Sequence, residues 1–224
     1  MGGFLDEVGA VVVRGTAAAI SGVVGAEVIT DVRTPRPVVA LTVDDGPHPD
    51  TTVPLLAALQ DTGARASFFL IGSRVEHRPD LAARIAAGGH ELANHLMHDR
   101  PSVLLEHDEF LQELRETHEL LAGHGPVRFF RPGSGWFTPR MLRAGAALGY
   151  RCALGSADLV AGRYPDPART ADRLADRCRP GSVIVLHEGT PARAEVATVA
   201  RRLVGRLAER GLGVTTLSDL VNGA

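Results

Sequence analysis

Two adjacent carboxylates, Asp44 and Asp45, stand directly before Gly46-Pro47, and His90, His95 and His98 crowd into one short stretch with Asp99 next. Neighbouring Asp residues point in different directions, so one can bind a metal ion while the other faces a water molecule. That division of labour is what metal-assisted hydrolysis needs. The same pair before Gly-Pro also reads as a turn whose side chains bond local backbone. Imidazole together with carboxylate suits zinc or a similar divalent ion. If the segment after His95 turns helical, His98 at i+3 and Asp99 at i+4 both share its face. Arg131, between Phe130 and Pro132, can reach into a cleft and hold a carboxylate ionised. Asp158 follows another apolar run and could cap the next loop. His187 follows Val-Ile-Val-Leu, and a His at a buried strand end is a natural general acid when a carboxylate keeps it near working pH. His48 reads as exposed and His90 as a core or supporting residue, while His77, His107, His118 and His124 read as surface.

These residues need a scaffold, and the text from residue 38 onward alternates between two periods. Short apolar runs at 38–43, 67–71, 90–94, 128–130, 151–155, 183–186 and 214–217 predict strands. Between them, helical patterns cover 51–62, 79–87, 107–122, 139–148, 167–178 and 192–210, with a short turn of helix at the C-terminus. Asp50 or Thr51 is the expected cap of the first helix and Gly63 its stop. Repeated strand–helix units argue α/β with parallel strands. About seven strands fit a distorted (β/α) barrel better than a flat doubly wound sheet, and no dinucleotide-type glycine fingerprint follows the first strand. Each candidate residue falls just past the C-terminal end of a predicted strand, and in a parallel barrel those ends share the face where active sites are built.

Composition narrows the chemistry. The 224 residues carry a formal net charge of −2, and every one of the 24 basic residues is Arg, for there is no Lys. That removes Schiff-base chemistry and the standard phosphate-binding lysine loop. The near-neutral balance gives no basic stripe, and aromatics are only 4%, so nucleic acid is not an expected partner. Cys152 and Cys178 lack metal spacing, and a chain of this size needs no disulfide staple. Asp6 and Glu7 stand where a secretion leader carries positive charge, so a cytoplasmic location is expected. The nearly uncharged stretch 8–26 contains Arg14 and four glycines, which argues against a membrane span. Residues 1–30 read as an arm or helical cap over a domain at 31–224.

In order along the chain, T-V-D-D-G-P at 42–47, G-H-E-L-A-N-H at 89–95, F-R-P at 130–132 and V-L-H at 185–187 resemble the polysaccharide deacetylase family. This is carbohydrate esterase family 4, the NodB-homology domain, and the likeness covers about residues 38–220. The resemblance implies a distorted (β/α) barrel and a hydrolase that uses a divalent metal to remove acyl groups from amino sugars. It implies Asp44 as general base, Asp45 and His95 as metal ligands and Arg131 as the partner of the base. It further implies Asp158 as support for the acid, His187 as general acid and Leu186 in the pocket for the acyl methyl. The resemblance implies that a water activated by the metal and deprotonated by Asp44 would attack the amide carbonyl, and that His187 would protonate the departing amine.

Two departures from the family pattern stand out. The second ligating His is usually four residues after the first, where this chain has Asp99, and His98 comes one residue early. Asp99 is the expected third ligand because spacing preserves direction, with His98 the alternative. A second carboxylate hardens the site, so zinc is expected with manganese, cobalt or nickel tolerated. The family's Arg-x-Pro-Tyr is replaced by Arg131-Pro132-Gly133-Ser134. The Ser134 N–H can still face an oxyanion, and Trp136 either restores a sugar-stacking wall or fills the rim. The expected substrate is an N-acyl amino sugar, oligosaccharide or small N-acyl compound. The alternatives are a deformylase or deacylase acting on a lipid-linked sugar and a catalytically weak carbohydrate-binding protein.

Overall fold

Residue 39 opens an unbroken run of buried residues that lasts to Gly46, as expected of a parallel strand covered on both faces. A computed structural model describes residues 25–158 and 164–223, with Asp158 described by its backbone alone. Its strands are β1 (Val28–Ile29), β2 (Val38–Gly46), β3 (Ser67–Leu70), β4 (Glu91–Asn94), β5 (Phe129–Phe130), β6 (Arg151–Ala153), β7 (Ala157–Asp158), β8 (Val183–His187) and β9 (Gly213–Thr215). The helices are α1 (Pro49–Thr62), α2 (Gly72–His77), α3 (Pro79–Ala87), α4 (His107–Ala122), α5 (Pro139–Ala147), α6 (Pro167–Arg177), α7 (Val196–Glu209) and α8 (Leu217–Asn222).

The strands pair in parallel in the order β1-β6-β5-β4-β3-β2-β8-β7, and β9 joins the start of β2. Beyond β1, Asp31 bridges Ser182 just before β8, and the Val32 N–H donates to Gly181 O at 2.9 Å. That contact brings the two sides of the sheet round toward each other, which is the distorted barrel. Gly181 is required there, since its φ is +84° and any Cβ would collide with the Val32 carbonyl.

Packing divides by strand face. On the outer face Leu41, Val43, Ile184 and Leu186 join Leu55 and Leu59 of α1, Leu174 of α6 and Leu203 and Leu207 of α7 in one buried cluster. A second cluster puts Phe110 and Leu114 of α4 and Met141 and Leu142 of α5 against Phe130, Cys152 and Val28. The third cluster gathers Ala40, Phe69, Ala93, Phe129, Ala153 and Val183 around Leu217 and Leu220 of α8. Both cysteines are free and buried.

Several boundaries differ from the sequence expectation. The structure has nine strands among the described residues where about seven were expected: β1 and β7, only two residues each, are the additions. Helix α2 was not expected: six residues are too few to show a period. The cap of α1 is His48, whose Nδ1 accepts the Asp50 N–H at 3.2 Å, and neither Asp50 nor Thr51 fills that place. Pro191–Arg193 forms a separate 3₁₀ turn, so α7 starts at Val196 and not at residue 192. Of the expected arm, residues 1–24 lie outside the described residues, and Val28–Ile29 pairs with β6 inside the sheet.

Candidate active site

A strand repeats every two residues, so the positions two beyond the third, α8-centred cluster share its face of the sheet. Ala40 leads by steps of two to Thr42 and Asp44, Ala93 to His95, Phe129 to Arg131, and Val183 to His187. The polar residues thus cap an apolar stack, and Asp44 lies in register with His187 across the β2–β8 pair.

Asp44 and Asp45 are separated by a bulge. The pairing of β2 with β3 shifts between Asp44 and Gly46, and Asp45 has a φ of 68°, a left-handed conformation that Asp tolerates better than most residues. The two side chains therefore part. Asp44 Oδ1 accepts from Arg131 Nη1, and its Oδ2 lies 3.9 Å from His187 Nε2. Asp45 Oδ1 lies 3.1 Å from His95 Nε2. Arg131 is fully buried for so large a side chain, at 2% exposure, and every face is occupied. Its Nε donates to Ala153 O at 2.7 Å, Nη1 and Nη2 each reach Thr42 Oγ1 at 3.1 Å, and the Phe69 ring lies 4.0 Å away. Thr42 is fixed in turn by donating to Ile184 O at 2.7 Å.

The region after β4 turns away from this centre. Glu113 of α4 is buried, and its Oε2 accepts the Met97 and His98 N–H groups at 3.1 and 3.2 Å. Asn94 adds a further pin, accepting the Leu96 N–H at 2.9 Å and donating to Leu114 O at 2.8 Å. His98 and Asp99 are exposed, and Asp99 Oδ2 accepts from Arg74 Nη2 at 2.9 Å. Asp45 and His95 are together, but neither expected third ligand joins them. No group of three His, Cys, Asp or Glu able to hold a metal exists among the described residues.

A sequence profile described as polysaccharide deacetylase matches residues 31–153. The chain belongs to the polysaccharide deacetylase family. It is 32% identical over 197 residues to a chitooligosaccharide deacetylase of Sinorhizobium fredii, covering 82% of this chain and 92% of the relative. It is 24% identical to a peptidoglycan-N-acetylglucosamine deacetylase of Bacillus cereus, over 82% of this chain and 88% of the relative. The crystal structure of the Bc1960 peptidoglycan N-acetylglucosamine deacetylase superposes with a TM-score of 0.85 at 26% identity, covering 92% of this chain and 97% of that one.

The family is one of hydrolases that cleave N-acetyl amide bonds, and its deacetylases are generally metal-dependent. In this member of the family two residues fit a divalent ion. His95 Nδ1–H donates to Arg131 O at 2.7 Å, which leaves the Nε2 lone pair directed at the Asp45 carboxylate. A lone pair aimed at a carboxylate is satisfied by a cation or a proton between them. Burial alone depresses the His95 pKa, but Asp45 and Asp44 outweigh it and raise it. Burial likewise pushes Asp45 up, and His95, His187 and Arg193 together hold it well below the usual carboxylate range.

Other expected site residues are placed less centrally. Asp158 pairs with Val185 through the β7–β8 backbone. Leu186 faces the opposite side of β8 from His187 and is fully buried among the helices. Ser134 is exposed in a 3₁₀ turn with a φ of 63°. Trp136 follows at 48% exposure, beside the turn that carries the exposed Leu104. Among the described residues these are the two large exposed hydrophobics.

Sequence reading missed four site residues. Tyr164 clasps His187 from behind: its Oη accepts the His187 N–H at 2.7 Å and donates to His187 O at 3.0 Å. Burial depresses the His187 pKa, Asp44 and Asp45 oppose it, and Arg193 and Arg131 reinforce it. Arg74 donates to the Asp45 carbonyl, and Arg193 Nη1 donates to Asp45 Oδ2 at 2.6 Å. Both arginines follow the C-terminal ends of strands, so the rule that found the other residues reaches them as well.

Glu188 is the fourth. It is fully buried, its Oε2 accepts from Thr51 and Thr52 at 2.9 and 2.7 Å, and its Oε1 has no partner among the described residues. Gly46 leaves room for that oxygen, which any Cβ would meet. Burial pushes the carboxyl up to about 7, against the pull of Thr52, Thr51 and Arg74. The folded chain therefore holds this proton more tightly than the unfolded chain, and stability falls as pH rises from the ordinary Glu value through about 7. Glu188→Gln is expected to abolish this slope, worth on the order of 2–3 kcal/mol above pH 7. Urea denaturation of both chains at several pH values measures it. Parallel pH profiles would show that Glu188 is not the group responsible.

Proposed function

We propose that this chain hydrolyses the N-acetyl group of an amino sugar or short amino-sugar oligosaccharide, releasing acetate and the free amine. The observation that carries the reading is the buried Asp44–Arg131 pair facing His187 at 3.9 Å, beside Asp45 and His95. Arg131, held by Ala153 O, Thr42 and Phe69, fixes the orientation of Asp44 before substrate arrives. Asp44 takes the proton of the attacking water. His187, whose backbone is clasped by Tyr164, gives a proton to the departing amine nitrogen. Asp45 and His95 would hold a divalent ion, zinc in the first instance, which supplies Lewis acidity for the carbonyl and the water. Trp136, half exposed, would offer the sugar an aromatic face. No helix among the described residues is long and apolar enough to cross a membrane.

The direct test incubates the purified chain, supplied with zinc, with N-acetylated chitooligosaccharides of increasing length, peptidoglycan fragments and small N-acetyl compounds. Acetate release and amine formation in equal amounts are expected on the oligosaccharides. Sugar binding with no acetate from any of them would favour the carbohydrate-binding alternative and defeat the hydrolase reading.

A further inference from the structure

Asp45 presents three oxygens, and three cationic or imidazole groups take them. Oδ1 faces His95 Nε2 at 3.1 Å, Oδ2 accepts from Arg193 Nη1 at 2.6 Å, and the backbone carbonyl accepts from Arg74. Arg193 is not a loose surface arm. The same Nη1 donates to Glu188 O at 2.6 Å, and the Arg193 N–H donates to Thr190 O at 2.9 Å within the Pro191–Arg193 turn. Its side chain is 20% exposed and Asp45's is 10%, so water screens the pair little.

Charges around the site balance without an ion. Asp44 meets Arg131, Asp45 meets Arg193, and Asp99 meets Arg74. The carboxylate that would complete the ligand set is spent on a guanidinium, and the carboxylate that remains is shared with another. A guanidinium does not shed its proton in a protein, so it cannot make way for a metal by neutralising, as a lysine can. A divalent ion at Asp45 and His95 must displace Arg193 from Oδ2 or bear its charge at close range.

We infer that Arg193 is a built-in competitor for the divalent ion at Asp45, so that guanidinium and metal ion exclude each other at one carboxylate oxygen. The inference rests on the proposal that Asp45 and His95 hold the ion. Two ligands bind at one site at each other's expense, and the coupling is reciprocal. The chain keeps its fold when stripped of metal because Arg193 compensates Asp45, and for the same reason it holds the ion more weakly than its donors alone dictate. The link also joins metal binding to the end of β8, since Arg193 holds the carbonyl of Glu188, the residue after His187. Movement of the guanidinium off Asp45 loosens the turn that follows the acid.

Calorimetric titration of zinc into the chelator-stripped full chain tests this without reference to catalysis. Arg193→Ala and Arg193→Gln are expected to bind zinc at least about tenfold more tightly than the wild type, within the usual range of coupling between exclusive ligands. Arg193→Ala stripped of metal is expected to melt below the stripped wild type, and to recover more on adding zinc. Asp45→Asn is expected to abolish the binding in every background. Equal or weaker zinc affinity in both Arg193 variants, with Asp45→Asn still abolishing it, would overturn the competition alone. Binding that survives Asp45→Asn would overturn the assignment of the ion to this site. Should Arg193→Ala not fold when stripped, Arg193→Gln carries the comparison, since it keeps a neutral donor at that position. Whether the chain releases acetate is read separately, so loss of that activity leaves this result standing.

Discussion

Asp44→Asn is expected to lower kcat/KM for deacetylation by about 10³-fold, within the range for removing a positioned general base. Asn is nearly the same size as Asp and can still accept from Arg131, so the substrate-facing surface keeps its shape. What it loses is the ability to take a proton, so kcat carries the loss and KM moves little. Acetate release by variant and wild type, each supplied with zinc, measures the effect. Thermal melting checks the fold, because the variant leaves the Arg131 charge without its anion in a buried place. A fall of less than tenfold would mean that some other group accepts the proton, and the assignment of base would fail.

Arg131→Met has the largest expected effect on stability. The pair it breaks is buried on both sides, with Arg131 at 2% and Asp44 at 3% exposure. Removing one partner strands the other charge away from water, which costs about 3–5 kcal/mol. The donors to Ala153 O and Thr42 go with it. Met matches the length of the stem and packs on Phe69, so loss of apolar contact is a small part of the change. The double variant Asp44→Asn, Arg131→Met is expected to recover a substantial share, because the stranded charge is gone. Urea denaturation of the wild type, both single variants and the double variant closes the cycle. A single-variant loss below about 1 kcal/mol, or no recovery in the double, would show that the pair is not the buried charge couple described above.

Much of the site could be read from the chain because strand geometry is local. A residue two positions beyond a buried inward residue must face the same way, so Asp44, His95, Arg131 and His187 follow from the runs that precede them. The helices at 79–87 and 107–122 were legible for the same kind of reason, since in the second of them Phe110, Leu111, Leu114, His118 and Leu121 recur with the helical period. β1 and β7, two residues each, express no period of their own, and neighbours decide their pairing. The placement of Asp99 fails for a different reason. Spacing from His95 sets a direction only if the backbone between them is regular. Here Leu96 takes a φ of 66° and Glu113 of α4 draws the next two N–H groups to itself.

The sequence by itself therefore determined the family, the alternation of strand and helix, and which strand ends carry Asp44, Asp45, His95, Arg131 and His187. Those follow from motif order and from periods that each segment expresses alone. Only the tertiary structure decided which charges meet. It paired Asp99 with Arg74, brought Arg193 onto Asp45, and sealed Glu188 beneath Thr51 and Thr52. Each of those contacts joins residues far apart along the chain or set by a bent loop, and distance in space between such residues is fixed by how the layers pack. An all-arginine set of basic residues gave no hint of it, because a guanidinium at the surface and one at the site are the same in sequence.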